Sequence, residues 1–228
     1  MKPPQFDYAA PDSLDEALAL MTTDDAKVLA GGQSLVPLLN FRLAAPALLV
    51  DLRRLPGLGG VERENGGVRI GAMVRQRAAE EDDQLCADVP LLREAVKHVA
   101  HPQIRSRGTV GGSIAHGDPA AELPALLVAL DGRVCASSVR GERWIDGSAL
   151  YTGFLTTAFE ADEILTSVEL PVAPPRTGAA CVEVARRAGD YALCGALVQA
   201  TRGPDGSVED VRVALIGVGR RPYRATAA

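Results

Sequence analysis

Lys27-Val28-Leu29-Ala30-Gly31-Gly32-Gln33-Ser34-Leu35-Val36-Pro37-Leu38-Leu39 is the stretch on which the reading of the fold turns. Lys27 to Ala30 form a short strand-like run, the pair Gly31-Gly32 interrupts it, and a helical segment continues through Leu39. A glycine pair between strand and helix lets consecutive backbone N–H groups and a helix N-terminus face an anion, and the missing Cβ atoms allow close approach. Thr109-Val110-Gly111-Gly112-Ser113-Ile114 is a second such turn, with hydroxyls on Thr109 and Ser113 and with Arg105 and Arg107 nearby in sequence to offset negative charge. Two phosphates need about two such cradles. Either pair alone also reads as an ordinary turn, and neither loop is a G-x-G-x-x-G or a G-x-x-x-x-G-K-[ST]. The residues thus indicate two strand-to-helix turns able to face one pyrophosphate, without telling one dinucleotide from another.

Working outward, Ser13-Leu14-Asp15-Glu16 fits a capping box, and Leu14, Ala17, Leu18 and Met21 repeat at helical spacing. Ala47 to Leu52 reads as a buried strand, so residues 1 to about 53 form a compact β-α-β-like lobe. Glu64-Asn65-Gly66-Gly67 between runs at Val61 and Val68-Arg69-Ile70 predicts a hairpin, because Asn-Gly accepts positive φ. Asp88 and Pro90 set up a helix with an apolar stripe at Leu92, Ala95, Val96 and Val99. The polar, Gly-rich segment from His101 to Gly117 leads to Asp118-Pro119, read as N-cap and first residue of a helix over 120–130 that Gly132 closes. Strands are expected at 133–136, 143–145 and 164–170, and 172–178 reads as a linker. Beyond it come Cys181 to Ala185, a helix-like Ala192 to Thr201, the turn Pro204-Asp205-Gly206 and a strand from Val208 to Leu215. About fifty residues rarely close a core alone, so this part is expected to pack on the first domain or on a partner.

Composition narrows the function. With 228 residues, 24 Lys+Arg against 29 Asp+Glu and a net charge of −5, the chain lacks the basic footprint that a phosphate backbone demands, and nucleic acid is excluded as a partner. No run reaches the roughly 20 apolar residues of a membrane span, and the N-terminus lacks the apolar core of a signal peptide, so a cytoplasmic chain is expected. Cys86, Cys135, Cys181 and Cys194 are scattered, and the three His, at 98, 101 and 116, show no ligand spacing, which argues against any metal or iron–sulfur site. No Ser/His/Asp or Cys/His arrangement offers a catalytic nucleophile, and no catalytic residue is assigned.

A family resemblance adds to this reading. It rests on Phe6-Asp7-Tyr8, Leu29-Ala30-Gly31-Gly32-Gln33-Ser34-Leu35, Val50-Asp51-Leu52, Ile70-Gly71-Ala72, the run Pro102 to Ser113 (PQIRSRGTVGGS), Asp118 to Leu126 (DPAAELPAL) and Arg186 to Ala192 (RRAGDYA). In order and spacing these segments resemble the FAD-binding medium subunits of molybdenum hydroxylases, such as aerobic carbon monoxide dehydrogenase and the xanthine dehydrogenase group. The resemblance implies an α+β fold: a two-lobed FAD-binding domain of the vanillyl-alcohol oxidase (PCMH) type over 1–172, divided at about 53, and a small, shortened α+β C-terminal domain over 178–228. Relatives usually continue well beyond the segment Gly217 to Pro222.

By the same resemblance, Ala30, Gly31, Gly32, Gln33, Ser34 and Leu35, with Thr109, Gly111, Gly112 and Ser113, wrap the FAD pyrophosphate. Glu122 stands where relatives place an acid against the ribose or adenine; it is equally a first-turn acid favoured by the helix dipole. Tyr191 stands in the segment that approaches the isoalloxazine, where an aromatic can cover one ring face; without the resemblance it reads as a core tyrosine. Leu165, in the strand over 164–170, is grouped with these candidate contacts. Lys27 is a charge flanking a strand or a phosphate contact, and Arg186 and Arg187 are a solvated face or a charge for the flavin N1–C2=O edge. His101 and His116 are loop histidines with local hydrogen bonds and not covalent flavin anchors. The implied role is an electron-transfer subunit: a molybdopterin-containing large subunit and a [2Fe–2S] small subunit are the partners, and FAD passes electrons to a final acceptor. A stand-alone FAD oxidoreductase and a cofactor-less assembly protein are the alternatives.

Overall fold

The structure is a computed structural model that describes residues 2–64 and 66–226. The first lobe contains β1 (Asp7–Ala9), α1 (Leu14–Met21), β2 (Ala26–Leu29), α2 (Leu35–Asn40) and β3 (Leu48–Asp51). Its sheet is parallel, in the order β1-β3-β2, with Tyr8 opposite Leu49 and Val28 opposite Val50. The Ser13 half of the capping box forms as expected, Ser13 accepting from the Glu16 N–H at 3.2 Å, while the Glu16 carboxylate reaches one residue further and accepts from the Asp12 N–H at 3.2 Å. Ala17, Leu18 and Met21 then pack on Val50, Leu52, Leu55 and Leu58. Strand β1 is an addition to the sequence reading; its three residues are too few to show a period.

The second lobe runs through β4 (Val61–Glu64), β5 (Gly67–Gly71), α3 (Gln76–Glu81), α4 (Asp83–Asp88), α5 (Pro90–Val96), α6 (Pro102–Arg105), α7 (Val110–His116), α8 (Glu122–Ala129), β6 (Arg133–Ser138), β7 (Gly141–Asp146), α9 (Gly147–Leu150), β8 (Tyr151–Gly153), β9 (Thr156–Thr157) and β10 (Ile164–Pro171). Its antiparallel sheet has the order β4-β5-β10-β6-β7, so β10 inserts beside β5 nearly a hundred residues later, with Ser167 opposite Gly71 and Val168 opposite Ile70. The β4–β5 pairing matches the expected hairpin; Asn65 of its turn lies outside the described residues. Helix α8 is apolar all round and Leu123 through Ala129 are all buried, as a helix enclosed on every side must be.

Two expectations for this lobe need correction. The turn expected at Thr109–Ile114 does not lead from a strand into a helix: it follows the short helix α6, and Thr109 is itself the N-cap of α7. Asp118 does not cap a helix starting at Pro119: its carboxylate accepts the Ala120 N–H at 2.8 Å in a local turn, and α8 begins at Glu122 with Ala121 at the N-cap.

The rest forms one antiparallel sheet, β11 (Thr177–Val184), β12 (Cys194–Arg202), β13 (Val208–Ile216) and β14 (Tyr223–Ala225), in sequential order. The helix expected over 192–201 is therefore strand β12. Leu197, Gln199 and Thr201 point inward and are buried while Ala196, Val198 and Ala200 alternate with them, and pairing on both edges overrides the helical propensity of the alanines. This sheet lies against α5 and α8, with Cys181, Leu197, Ala214 and Ile216 joining the second lobe's core. Arg224 donates to the Val128 and Ala129 carbonyls at 3.0 and 2.7 Å, and Arg212 to Leu130 at 3.1 Å, so cations from the sheet satisfy the C-terminal end of α8.

Candidate functional site

The lobes meet at their glycine loops. A Cβ on Gly31 would stand 2.3 Å from the Arg107 carbonyl oxygen and 2.8 Å from the Gly108 Cα, so two backbones touch where no side chain fits. A Cβ on Gly112 would lie 2.6 Å from the Thr109 hydroxyl and 3.5 Å from the Ala30 Cβ. Ala30–Leu35 and Thr109–Ser113, eighty residues apart in sequence, thus form the two sides of one seam.

The sides differ in chemistry. From Gly31 to Leu35 no backbone N–H finds an acceptor among the described residues; the first to do so is Val36, which donates to the Gly32 carbonyl at 3.2 Å. Gly32 holds φ at +74°, and Gln33 folds back to donate to the Gly31 carbonyl at 3.2 Å. This run ends β2, at the C-terminal edge of a parallel sheet, where ligands of α/β proteins bind. On the other side the N–H groups are already used. Val110 donates to Val74, Gly111 to Ala72 and Ser113 to Thr109, while Gly112 donates to the Thr109 hydroxyl at 3.0 Å, the N-cap bond of α7. A Cβ on Gly111 would lie 2.6 Å from the Ala72 Cβ. The second loop is therefore not a nest of free N–H groups: Gly111 and Gly112 provide close approach, and the buried Thr109 hydroxyl is committed to capping α7.

Charges around the seam are sorted by burial. Arg105 is unavailable to an anion: it is buried, donating to Glu80 at 2.8 Å and to the Val99 carbonyl at 2.9 Å. In its place Arg75, which sequence reasoning missed, donates to the Arg107 carbonyl and sits half-buried; burial and the neighbouring Arg107 lower its pKa. Beneath, the Asp51 carboxylate is fully buried and accepts from the Tyr8 hydroxyl at 2.8 Å and from the Arg53 N–H and Nε at 2.9 and 2.7 Å. Burial works to raise its pKa, but those donors outweigh it and hold it below the usual carboxylate range. Lys27 is exposed, and His116 has its pKa lowered by burial, with Asp118 opposing.

Glu122 opens α8 beside this region. Burial pushes its carboxyl up to about 8, Glu183 and Asp118 push in the same direction, and no side chain among the described residues hydrogen-bonds it. Tyr191 is not a core residue: it is 67% exposed, on the loop between β11 and β12. Arg186 and Arg187 are exposed on the same loop. Leu165 is 7% exposed within the second lobe's core, opposite Ala136. His101 makes no side-chain hydrogen bond among the described residues and instead packs against Gly189.

A parallel-stranded lobe and an antiparallel-stranded lobe, closed on paired glycine loops, make the architecture of a two-lobed flavin-binding protein. Residues 4–173 match the family described as the FAD binding domain in molybdopterin dehydrogenase, and the chain belongs to that family. It carries an FAD-binding domain and is an oxidoreductase subunit. Among curated proteins it is similar to the 6-hydroxypseudooxynicotine dehydrogenase complex subunit alpha of Paenarthrobacter nicotinovorans, 44% identical over 98% of this chain and 76% of that one. Carbon monoxide dehydrogenase medium chain of Hydrogenophaga pseudoflava is 38% identical over 96% of this chain and 76% of its own. Among solved structures, carbon monoxide dehydrogenase from Hydrogenophaga pseudoflava superposes with a TM-score of 0.96 at 39% identity, over 100% of this chain and 79% of that one. No helix among the described residues is long and apolar enough to cross a membrane.

Proposed function

We propose that this chain is the FAD-binding electron-transfer subunit of a molybdenum hydroxylase, receiving electrons from [2Fe–2S] clusters on a small partner chain, downstream of a molybdopterin-containing large subunit. The observation that carries the proposal is the run of free N–H groups from Gly31 to Leu35, pressed edge-on against the second lobe at Arg107–Gly108. Such a run suits a pyrophosphate, which needs several donors and brings its own charge.

In this reading Ala30 to Leu35 hold the pyrophosphate and the Thr109 and Ser113 hydroxyls close on it from the other lobe. Gly111 and Gly112 keep that approach clear. Arg75 and Arg107 supply positive potential, and the Asp51–Arg53–Tyr8 cluster fixes the end of β3 beneath them. Glu122 meets the ribose or adenine, and Tyr191 covers one face of the isoalloxazine. When bound, FAD accepts and releases the electrons, and the protein's part is orientation and electrostatics. Residues 1–172 act as the FAD-binding domain and 178–228 as the C-terminal domain that carries Tyr191. The free thiols Cys86, Cys135, Cys181 and Cys194 fit a reducing compartment, the cytoplasm.

The test is to assemble the chain with its partner subunits and add the substrate of the large subunit. The expected result is bleaching of the visible flavin band before the external acceptor is reduced, and loss of acceptor reduction when FAD is stripped. An FAD-free complex that reduces the acceptor at the original rate would overturn the proposal. A chain that takes up FAD but associates with no partner would point to the stand-alone alternative.

A further inference from the structure

The loop 185–193 between β11 and β12 has few internal supports: Asp190 donates to Arg187 at 3.1 Å, and Leu193 closes the hairpin by donating to Val184 at 2.8 Å. Ala192 anchors its far end in the second lobe's core, and its tip leans on His101. Gly189 holds φ at +85°, and a Cβ there would lie 2.2 Å from the His101 Cε1 and 2.7 Å from both ring nitrogens, so the imidazole occupies the space that only a glycine leaves. The backbone that carries the ring is firm. His101 is the N-cap residue of α6, and its carbonyl accepts from Ile104 and Arg105 at 2.8 and 3.1 Å. Arg105 ties the same helix to Glu80 and Val99 in the interior. Helix α6 then leads through Arg107 and Gly108 directly into Thr109–Ser113. His101 is therefore part of the rigid piece that forms one side of the seam, and Gly189 is two residues from Tyr191.

We propose that His101 is a positioning residue: its ring is the seat on which Gly189 lands, and this contact sets where Tyr191 stands relative to the flavin. The inference rests on the reading of Tyr191 as a cover for the isoalloxazine. A small glycine against this ring gives the loop tip a defined landing point, whereas Tyr191 itself is largely exposed and only its neighbour Ala192 is buried. The tie also couples the C-terminal sheet to the second glycine loop without a covalent link.

Two measurements on His101→Ala, Gly189→Ala and Tyr191→Ala test it. Hydrogen exchange of residues 185–193 in the chain without added FAD reads the seat directly. Protection there is expected to fall about five- to tenfold in His101→Ala and Gly189→Ala while α6 and α7 are unchanged. In the FAD-loaded chain, iodide quenching of flavin fluorescence reads the cover. It is expected to rise in all three variants, and no further when His101→Ala is added to Tyr191→Ala. Unchanged exchange in 185–193, or increased quenching in Tyr191→Ala but not in His101→Ala, overturns the positioning role. Loss of protection in His101→Ala with unchanged quenching in Tyr191→Ala upholds the seat and overturns the covering role of Tyr191.

Discussion

Gly31→Ala is the sharpest perturbation of the seam. The added Cβ would stand 2.3 Å from the Arg107 carbonyl oxygen, 2.8 Å from the Gly108 Cα and 3.0 Å from the Arg107 carbonyl carbon. All three are backbone atoms, so no side-chain rotation relieves the clash. Restoring an ordinary carbon–oxygen separation of about 3.2 Å moves the two loops apart by roughly 0.9 Å. Overpacking of this kind costs about 1–3 kcal/mol. Because the displacement separates the N–H run from the Arg107–Ser113 side of the seam, most of the cost should fall on the complex with FAD. A binding loss of about 2 kcal/mol corresponds to a roughly 30-fold higher Kd. The assay is an FAD titration of the cofactor-stripped chain followed by flavin fluorescence, beside a thermal melt. Gly59→Ala, with nothing within 4 Å of its added methyl, is the control and should match the wild type. If Gly31→Ala binds FAD and melts like the control, the close-packed seam is not what holds the cofactor.

Asp51→Asn should cost about 1–3 kcal/mol, since the Arg53 and Tyr8 donors lose a buried anion. The native carboxyl is held below its unfolded value, so its contribution is present above the unfolded pKa and disappears as pH falls through the folded one; denaturant melts from pH 7 to 3 should show a weaker acid loss in the variant than in the wild type. Glu122 has the opposite sign: its stability contribution is complete below the unfolded pKa and is lost as pH rises from about 4.5 to about 8. Glu122→Gln should accordingly be more stable than the wild type at pH 8 and lose that advantage near pH 4, and identical pH profiles for the two proteins would refute the burial of this carboxyl. Arg105→Ala breaks a largely buried ion pair with Glu80 and frees α6, with an expected loss of about 3 kcal/mol in urea melts and of FAD retention on a desalting column.

Legibility in the sequence followed local periodicity. The helix N-cap at Ser13, the strand-like run from Lys27 and the glycine pair after it were readable because each announces itself within a few residues. So was the alternation of β10. Segment 101–117 was not, since Gly108, Gly111, Gly112 and Gly117 suppress helical propensity. Helix α7 forms there because Val74 and Ala72 accept its first N–H groups and Thr109 caps it, contacts between residues some forty positions apart. Strand β12 was hidden by its alanines, whose preference yields to two neighbouring strands. The candidate site was half legible. Gly31 and Gly112 stood out by type, but that Arg105 is committed to Glu80 while Arg75 lines the seam depends on burial, which spacing does not encode. His101 offered only its chemistry, and its packing on Gly189 joins residues eighty-eight positions apart.

The placing of β10 beside β5 has a consequence for how the protein comes into being. Ala72, which receives the Gly111 N–H, itself donates to the Thr166 carbonyl at 2.9 Å, so the second glycine loop hangs from a strand that ends at Pro171. During synthesis that loop emerges sixty residues before its anchor. Closing so long a segment is entropically slow and leaves the β5 edge and the apolar faces of α7 and α8 uncovered meanwhile. The nascent chain is accordingly most exposed to mispairing and to chaperone capture between the completion of α8 and the arrival of β10, and it acquires its cofactor seam only after that window has closed.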